Sequence, residues 1–390
     1  MSGVTWTVQR VPSVSGGVRI GAYVVAGLTA VLVTGVLLRV LGLHPLELGG
    51  DVLRSSLGSR YGIQDVLLLA APLVMCGLSV ALMLRVGLWN IGADGQFFIG
   101  ATCAAGIGLA LPHWPLLPML LLMGAAGMIG GGAWIAVPAL ARLTLGTSEI
   151  ITTLLLNFVA RLAVDYLATG PWRDRNSSVT AQTPRIPFAI PRLPRDWHMG
   201  GVHWGLGVVV ALAIGLSLAF RLTRWGYELR ICGANRNAAA YAGMRVQRRL
   251  LEAMLIGGAV AGLGGMLELA GTVHRLQSGL SNDYGYIGVI VAVLAASSPI
   301  GTVVTGLLMA LVLNAGTVLQ THGIPSSASV ALTGLILLFA AMGERLAHYR
   351  LVPIRPRVPD LRAPDPGAPG DPSGTVPQDG MRSGVAGART

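Results

Sequence analysis

The chain has 390 residues, of which 53% are hydrophobic and only 12% are charged, and its formal net charge is +11. Soluble domains usually carry about 25% charged residues, so this composition argues against a soluble enzyme or a disordered chain. The balance predicts a multi-spanning α-helical membrane protein.

Long apolar runs predict the spans in chain order, because a spanning helix needs about 20 mostly apolar residues. The clear runs are 20–43, 64–84, 116–140, 148–169, 204–221, 250–271, 302–319 and 327–343. Two shorter runs, 96–111 and 286–298, fit short spans, broken helices or re-entrant segments. We expect an all-α transmembrane helical bundle of about ten segments, with about eight as the alternative count, and no strand.

Arginine placement predicts the orientation, because positively charged loops remain in the cytoplasm. Arginines are densest between Arg221 and Arg249, which marks that segment as cytoplasmic. The loop at 170–203 is expected outside, although it also carries arginines. The predicted division is a cytoplasmic N-terminal segment at 1–19, a transmembrane domain at 20–345 and a disordered, Pro- and Gly-rich cytoplasmic tail at 346–390.

Sequence motifs of enzymes are missing. A P-loop needs a lysine after its glycines, and the chain contains no lysine. Neither a His-Glu-x-x-His motif nor a Gly-x-Ser-x-Gly motif occurs, and the three cysteines show no paired spacing. We therefore expect no catalytic residue, no metal site and no cofactor.

A polar segment at 87–96, with the sequence Gly-Leu-Trp-Asn-Ile-Gly-Ala-Asp-Gly-Gln, joins two apolar runs. Three glycines and three polar side chains do not suit a straight, lipid-facing helix. Irregular backbone is tolerated near the membrane where it lines a cavity or is packed in protein. Two interpretations stay open: a transport site at a broken helix, or a short interfacial turn in which Asn90 or Asp94 caps the next helix.

Charged residues also occur inside the apolar runs. Thr147 or Ser148 is a suitable N-cap for the run that follows. Arg161 and Asp165 are four residues apart, a spacing that predicts a structural ion pair on one helix face rather than a substrate contact. Glu268, near the outer end of its run, is expected to reach the lipid headgroups.

The arginine-rich segment contains a predicted short helix. Asn235 suits the N-cap, Ala238–Ala240 suit the helix, and Gly243 suits its end. Small residues around the aromatic Tyr241 form a knob that fits a groove on another protein. A helix lying on the membrane surface fits the same residues equally well.

These three segments together resemble the inner-membrane permease subunits of ABC importers, in the branch that handles simple sugars and nucleosides. Residues 87–100 are similar to its Gly-Leu-x-Asn-Ile-Gly-x-Glu-Gly-Gln-x-x-x-Gly pattern, with Asp94 where the pattern has Glu. Residues 149–157 are similar to its Glu-x-Ile-x-Thr-x-x-x-Asn run. Its cytoplasmic signature is matched by Gly233, Asn235, Ala238, Ala239, Tyr241, Ala242 and Gly243.

The resemblance implies a non-catalytic transport subunit in the bacterial plasma membrane, with both termini in the cytoplasm. It implies that residues 235–243 form a coupling helix that docks into a separate ATPase, which hydrolyses ATP. It also implies a second permease subunit, identical or related, and an extracellular substrate-binding lipoprotein; no nucleic acid is expected. The residues expected along the substrate path are Trp89, Asn90, Asp94, Gln96 and Asn157. The alternative function is an ion-coupled secondary transporter of small polar solutes.

Overall fold

The computed structural model describes residues 5–10, 16–40, 42–177, 181–197, 199–347 and 349–354. In these residues the elements are β1 Thr5–Arg10, α1 Gly16–Val40, α2 Pro45–Ser56, α3 Arg60–Leu84, α4 Ala93–Ala110, α5 Leu116–Leu145, α6 Glu149–Thr169, α7 Gly205–Leu222, α8 Arg224–Ala234, α9 Arg236–Tyr241, α10 Val246–Glu268, α11 Tyr284–Leu294, α12 Pro299–Thr321, α13 Ser326–Ala347 and β2 Tyr349–Ile354. The predicted all-α fold class is confirmed for the membrane-embedded part of the chain.

The two strands form a small unit of their own. They pair antiparallel, with Thr5 opposite Ile354 and Arg10 opposite Tyr349. The expectation of no strand was therefore wrong at this point. Two short strands so far apart in sequence form only when they meet, so neither segment shows the pairing by itself. The disordered tail was predicted at 346–390, but residues 346–347 belong to α13 and residues 349–354 form β2. Disorder of residues 355–390 remains a prediction, because they lie outside the described part of the chain.

Eight helices of the described chain are long and apolar enough to cross a membrane. They are Gly21–Val40, Arg60–Leu84, Leu116–Leu145, Glu149–Thr169, Gly205–Leu222, Val246–Val273, Pro299–Thr321 and Ser326–Gly343. These eight helices agree with the alternative count of eight membrane segments, and the count of ten segments is not confirmed. Helix α11 has 11 residues and is about 16 Å long, too short for a hydrocarbon core of about 30 Å.

The core of the bundle is built around α3, α4 and α10. Glycines let these helices approach α5 and one another closely. A Cβ atom on Gly100 would overlap the backbone of Gly262, and one on Gly131 would overlap the backbone of Gly258. Small residues allow such close helix packing in lipid. Helix α4, with its polar first turn, is therefore enclosed by protein rather than exposed along its length.

The loop at 170–203 is ordered wherever the structure describes it, and it packs over the end of α10. The backbone amides of Thr183 and Ile186 donate to the carbonyls of Leu276 and His274, at 3.1 and 2.9 Å. Arg275 forms a 2.8 Å ion pair with Asp174. These bonds make the loop a cover on the end of the bundle opposite the arginine-rich segment.

Candidate functional site

Helical structure is interrupted between the end of α3 at Leu84 and the start of α4 at Ala93. We call this interruption the break. Gly87 has a φ of +68°, a left-handed conformation that glycine adopts without strain. The backbone then runs without helix until Ala93, although Leu88 and Asn90 are fully buried. Buried non-helical backbone needs hydrogen-bond partners, and the neighbouring side chains provide them.

Hydrogen bonds between side-chain amides stabilise the break. The Asn90 amide nitrogen donates to Ser79 Oγ and to Gln96 Oε1, both at 2.9 Å. The Gln96 amide nitrogen donates in return to Asn90 Oδ1 at 2.8 Å. Each of these buried amides is therefore paired within the protein, as burial of polar groups requires.

Asn157 of α6 fastens the same break from the other side. Its amide nitrogen donates to the Ile91 carbonyl at 2.8 Å, and its Oδ1 accepts from the Gly95 amide at 2.8 Å. The second bond satisfies one of the free N–H groups in the first turn of α4. Asn157 thus ties α6 to the start of α4.

Asp94 lies in the first turn of α4 and is only 1% exposed. Its Oδ1 accepts from Ser281 Oγ at 2.6 Å and from the Gly285 amide at 3.1 Å. Its Oδ2 lies 3.6 Å from Arg161 Nη2, which also donates to Asp283 Oδ1 at 3.1 Å. An Asp–Arg–Asp cluster therefore joins α4, α6 and the start of α11.

Two expectations for charged residues are corrected. Arg161 pairs with Asp94 and Asp283, not with Asp165, whose buried Oδ1 has no hydrogen-bond partner among the described residues. Helical spacing permits the local pair, but two carboxylates from other elements lie within reach of the same guanidinium. Glu268 does not reach the headgroups, because it is buried and accepts a 3.3 Å bond from Thr272.

The structure brings together most of the residues predicted for the substrate path. Asn90, Asp94, Gln96 and Asn157 are buried around the break, and Trp89 is half-buried beside them. The amides and the carboxylate are bonded to protein groups, which is the arrangement of residues that position backbone. Direct contact with a substrate stays a prediction. Sequence reasoning missed Ser281 and Asp283, which no local motif connects to Asp94.

The second feature is the short helix α9 at the arginine-rich end. Asn235 is its N-cap, with Oδ1 accepting from the Ala238 amide at 3.0 Å. Gly243 has a φ of +78° just after the helix, where a left-handed residue ends it. The predicted cap, short helix and terminating glycine are therefore confirmed, and the helix begins at Arg236.

Exposure along α9 is uneven. Tyr241 is 93% exposed, and Ala238, Ala240 and Ala242 are exposed beside it. Ala239 is fully buried. Two of the residues predicted to dock with an ATPase therefore face this chain, because Ala239 is buried and Gly233 is half-buried. The exposed ones are Asn235, Ala238, Tyr241, Ala242 and Gly243.

The end of α8 and the start of α9 contact the break. A Cβ atom on Gly233 would overlap the carbonyl oxygen of Arg85, so the backbones touch there. Arg236 Nη2 donates to the Gly87 carbonyl at 3.2 Å. The short exposed helix therefore contacts the residues at which the helix pair α3–α4 is interrupted.

Basic pockets flank this contact. One, of about 630 Å³, is lined by Arg224, Tyr227, Glu228, Ala242, Gly243, Met244, Arg245, Arg248 and Arg249. A second, of about 350 Å³, includes Arg85, Arg221 and Arg230. Burial, followed by the nearby positive charges of Arg230 and Arg221, lowers the pKa of Arg85. The arginine-rich end is therefore a strongly positive surface around α9.

A multi-spanning helical bundle with a buried, interrupted helix and an exposed short helix near the interruption is an arrangement typical of membrane transport proteins. Residues 62–341 match the family described as branched-chain amino acid transport system / permease component. The chain belongs to this family of permease components. It is a multi-pass membrane protein and a transport subunit rather than an enzyme.

Curated relatives narrow the comparison. A glucose ABC transporter permease protein of Haloferax volcanii is 33% identical over 85% of this chain and 89% of its own length. A nucleoside ABC transporter permease protein of Lactococcus lactis is 30% identical over 80% of this chain and 87% of its own length. A guanosine ABC transporter permease protein of Bacillus subtilis is 30% identical over 73% of this chain and 82% of its own length. The chain is thus similar to ABC permeases for sugars and nucleosides.

Proposed function

We propose that this chain is the membrane permease of an ATP-driven importer that admits nucleosides or simple sugars. The observation that carries the proposal is the contact of the α8–α9 segment with the α3–α4 break, made by Gly233 of α8 on Arg85 and by Arg236 of α9 on Gly87. A protein bound to α9 pushes directly on the backbone that leads to Asp94. Motion outside the membrane is thereby transmitted to its interior.

The motor is a separate ATPase that binds the exposed face of α9. Tyr241 and the exposed alanines provide a small apolar knob, and the surrounding arginines attract acidic groups of the partner. The positive-inside rule puts this arginine-rich end in the cytoplasm of a bacterial cell. Closure of the ATPases moves α9, and α8 and α10 follow because they are continuous with it in the chain.

The remaining partners follow from the transport cycle. A second permease, identical or related, completes the pathway, and an extracellular lipoprotein delivers the solute. Access then alternates between the two faces as the bundle rocks. The permease holds its solute weakly, since tight binding would slow release.

The substrate class comes from the relatives, whose names specify glucose, nucleosides and guanosine. Such solutes carry several hydroxyl groups and no net charge. Trp89, half-buried beside the break, offers a ring on which a base or a sugar stacks. Asn90, Asp94, Gln96 and Asn157 shape the backbone next to it.

The test replaces exposed residues of α9. We expect Ala238→Glu combined with Tyr241→Ala to leave membrane insertion and thermal stability unchanged, because both side chains are exposed. Uptake of guanosine, uridine or glucose by cells expressing the complete operon should fall at least tenfold, and the ATPase should no longer co-purify.

A matched control is Asn237→Asp, which changes an exposed residue on the same helix without adding bulk. Normal uptake by the double variant would count against α9 as the docking element. Uptake that survives ATP depletion but stops when the ion gradient collapses would instead support a secondary transporter.

A further inference from the structure

A cavity of about 430 Å³ lies between α11, α12 and α13, apart from the buried amides of the break. Its polar lining includes Asn282, Asp283, Thr317 and Gln320, and its apolar lining includes Leu69 and Ile287. Solute sites are concave and mostly apolar, with a few polar groups that fix orientation. The cavity has this composition, and its volume falls in the range of about 300–1,000 Å³ found for such sites.

The polar residues of this cavity are accessible. The Asp283 side chain is 62% exposed, in contrast to Asp94, which is 1% exposed. Asn282, Thr317 and Gln320 are also exposed. Asp283 stands at the first turn of α11 in a left-handed conformation, with a φ of +58°. Its carboxylate is therefore presented at the surface of the cavity rather than packed within the core.

Arg161 fixes that carboxylate in place. Its guanidinium donates to Asp283 Oδ1 at 3.1 Å and lies 3.6 Å from Asp94 Oδ2. Arg161 stands 12 residues into α6, about 18 Å from its start, and a charge at that depth is costly in lipid. Its side chain is nevertheless 44% exposed, and the cost of exposing a charge to lipid favours a water-filled part of the pathway at this point.

We infer that this cavity is a solute site on the outer half of the pathway, in which Asp283 binds hydroxyl groups of an uncharged sugar or nucleoside. The inference rests on the proposed function. Asp283 accepts hydrogen bonds from hydroxyl groups. Asn282, Gln320 and Thr317 can each donate and accept hydrogen bonds. Arg161 is a positioning residue that orients Asp283.

The charge of the cluster decides which solutes are accepted. Asp283 presents its carboxylate at the cavity, and the guanidinium of Arg161 is already shared between Asp283 and Asp94. A phosphorylated sugar or a nucleotide would bring further negative charge to Asp283 and be repelled. An uncharged ring fits, with its hydroxyls on the carboxylate and one face against Leu69 and Ile287.

The first experiment measures uptake kinetics in proteoliposomes that hold the complete transporter. We use guanosine, uridine and glucose, and continue with those that the wild type imports. Asp283→Asn should raise KM roughly tenfold or more, as expected for loss of a hydrogen bond to a charged group, with the maximal rate and ATP hydrolysis little changed. Thr317→Val should raise KM less. Asp165→Asn is the control, since Asp165 lies one turn from Arg161 and does not line the cavity.

The second experiment measures solute protection of an introduced cysteine, and it does not require the substitution to change transport. Thr317→Cys, placed in a chain with Cys103→Ser, should react with a membrane-impermeant thiol reagent from outside, and an imported solute should slow that reaction. Tyr166→Cys is the control, because Tyr166 is exposed near the end of α6 and outside the cavity. Solute should not protect it.

Two outcomes separate this inference from the proposed function. A wild type that imports none of the three solutes in an ATP-dependent way contradicts both. A wild type that imports a solute, with KM unchanged in Asp283→Asn and no protection at Thr317→Cys, overturns the solute site alone.

Discussion

The α3–α4 break and the helix α9 are in contact, yet different interactions stabilise them. At the break the irregular backbone is buried, and tertiary partners satisfy its polar groups: Ser79, Gln96 and Asn157 come from three different elements. At α9 the helix is exposed, and its own sequence forms it, from the Asn235 cap to Gly243. The break is therefore sensitive to the loss of any single hydrogen bond, whereas α9 presents an exposed surface to which a partner can bind.

The largest effect is expected at the break. Asn157→Leu leaves the Ile91 carbonyl and the Gly95 amide without their partner. Each buried unpaired group costs about 1–3 kcal/mol, so the free energy of unfolding should fall by about 2–6 kcal/mol. Thermal unfolding in detergent measures it, and Asn237→Leu on α9, an exposed position, should change it by about 0.5 kcal/mol or less. An equal loss of stability in Asn157→Leu and Asn237→Leu would contradict the expected difference between the break and α9.

The next effect is expected where the two regions touch. Gly233→Ala drives a methyl group into the Arg85 backbone and should destabilise the protein by about 1–3 kcal/mol through overpacking. It should also move the end of α8, and with it the start of α9, away from the break. Solute-stimulated ATP hydrolysis should therefore fall by more than the loss of stability explains. Gly279→Ala is the control, because no atom lies within 4 Å of its added Cβ. Wild-type coupling in Gly233→Ala would show that the contact does not transmit motion.

A smaller effect is expected at the start of α9. Asn235→Ala removes the cap on the Ala238 amide and should weaken the local helix by about 1 kcal/mol. Because α9 is exposed, amide hydrogen exchange over 236–243 should increase while exchange in α4 stays unchanged. Asn235→Ser should restore protection, since serine is also a good cap. An increase that extends into α4 would mean that the two regions unfold together.

The smallest effect on stability is expected for Arg236→Gln. The bond to the Gly87 carbonyl is a single exposed one, so its loss should cost about 0.5 kcal/mol or less. If the contact transmits motion, uptake should nevertheless fall severalfold while ATP hydrolysis continues. Asn237→Gln, at the next position of α9 and exposed, should leave uptake unchanged.

Local signals predicted local structure well. The apolar runs marked the eight spans, and the cap and terminating glycine of α9 were correct to within a few residues. The 87–96 segment was correctly expected to interrupt the helix, because three glycines and three polar side chains cannot lie in lipid. Spacing misled where tertiary partners competed, as with Arg161, which bonds to Asp283 rather than to Asp165.

The sequence by itself determined that this chain crosses the membrane many times, with an interruption at 87–96 and a short capped helix after Asn235, since hydropathy, capping and glycine placement act over short distances along the chain. Only the tertiary structure decided which carboxylates surround Arg161, that Glu268 and Ala239 are buried, and that Gly233 meets Arg85. Those contacts join residues far apart in sequence, and which partner a charge or a glycine finds depends on how the helices pack.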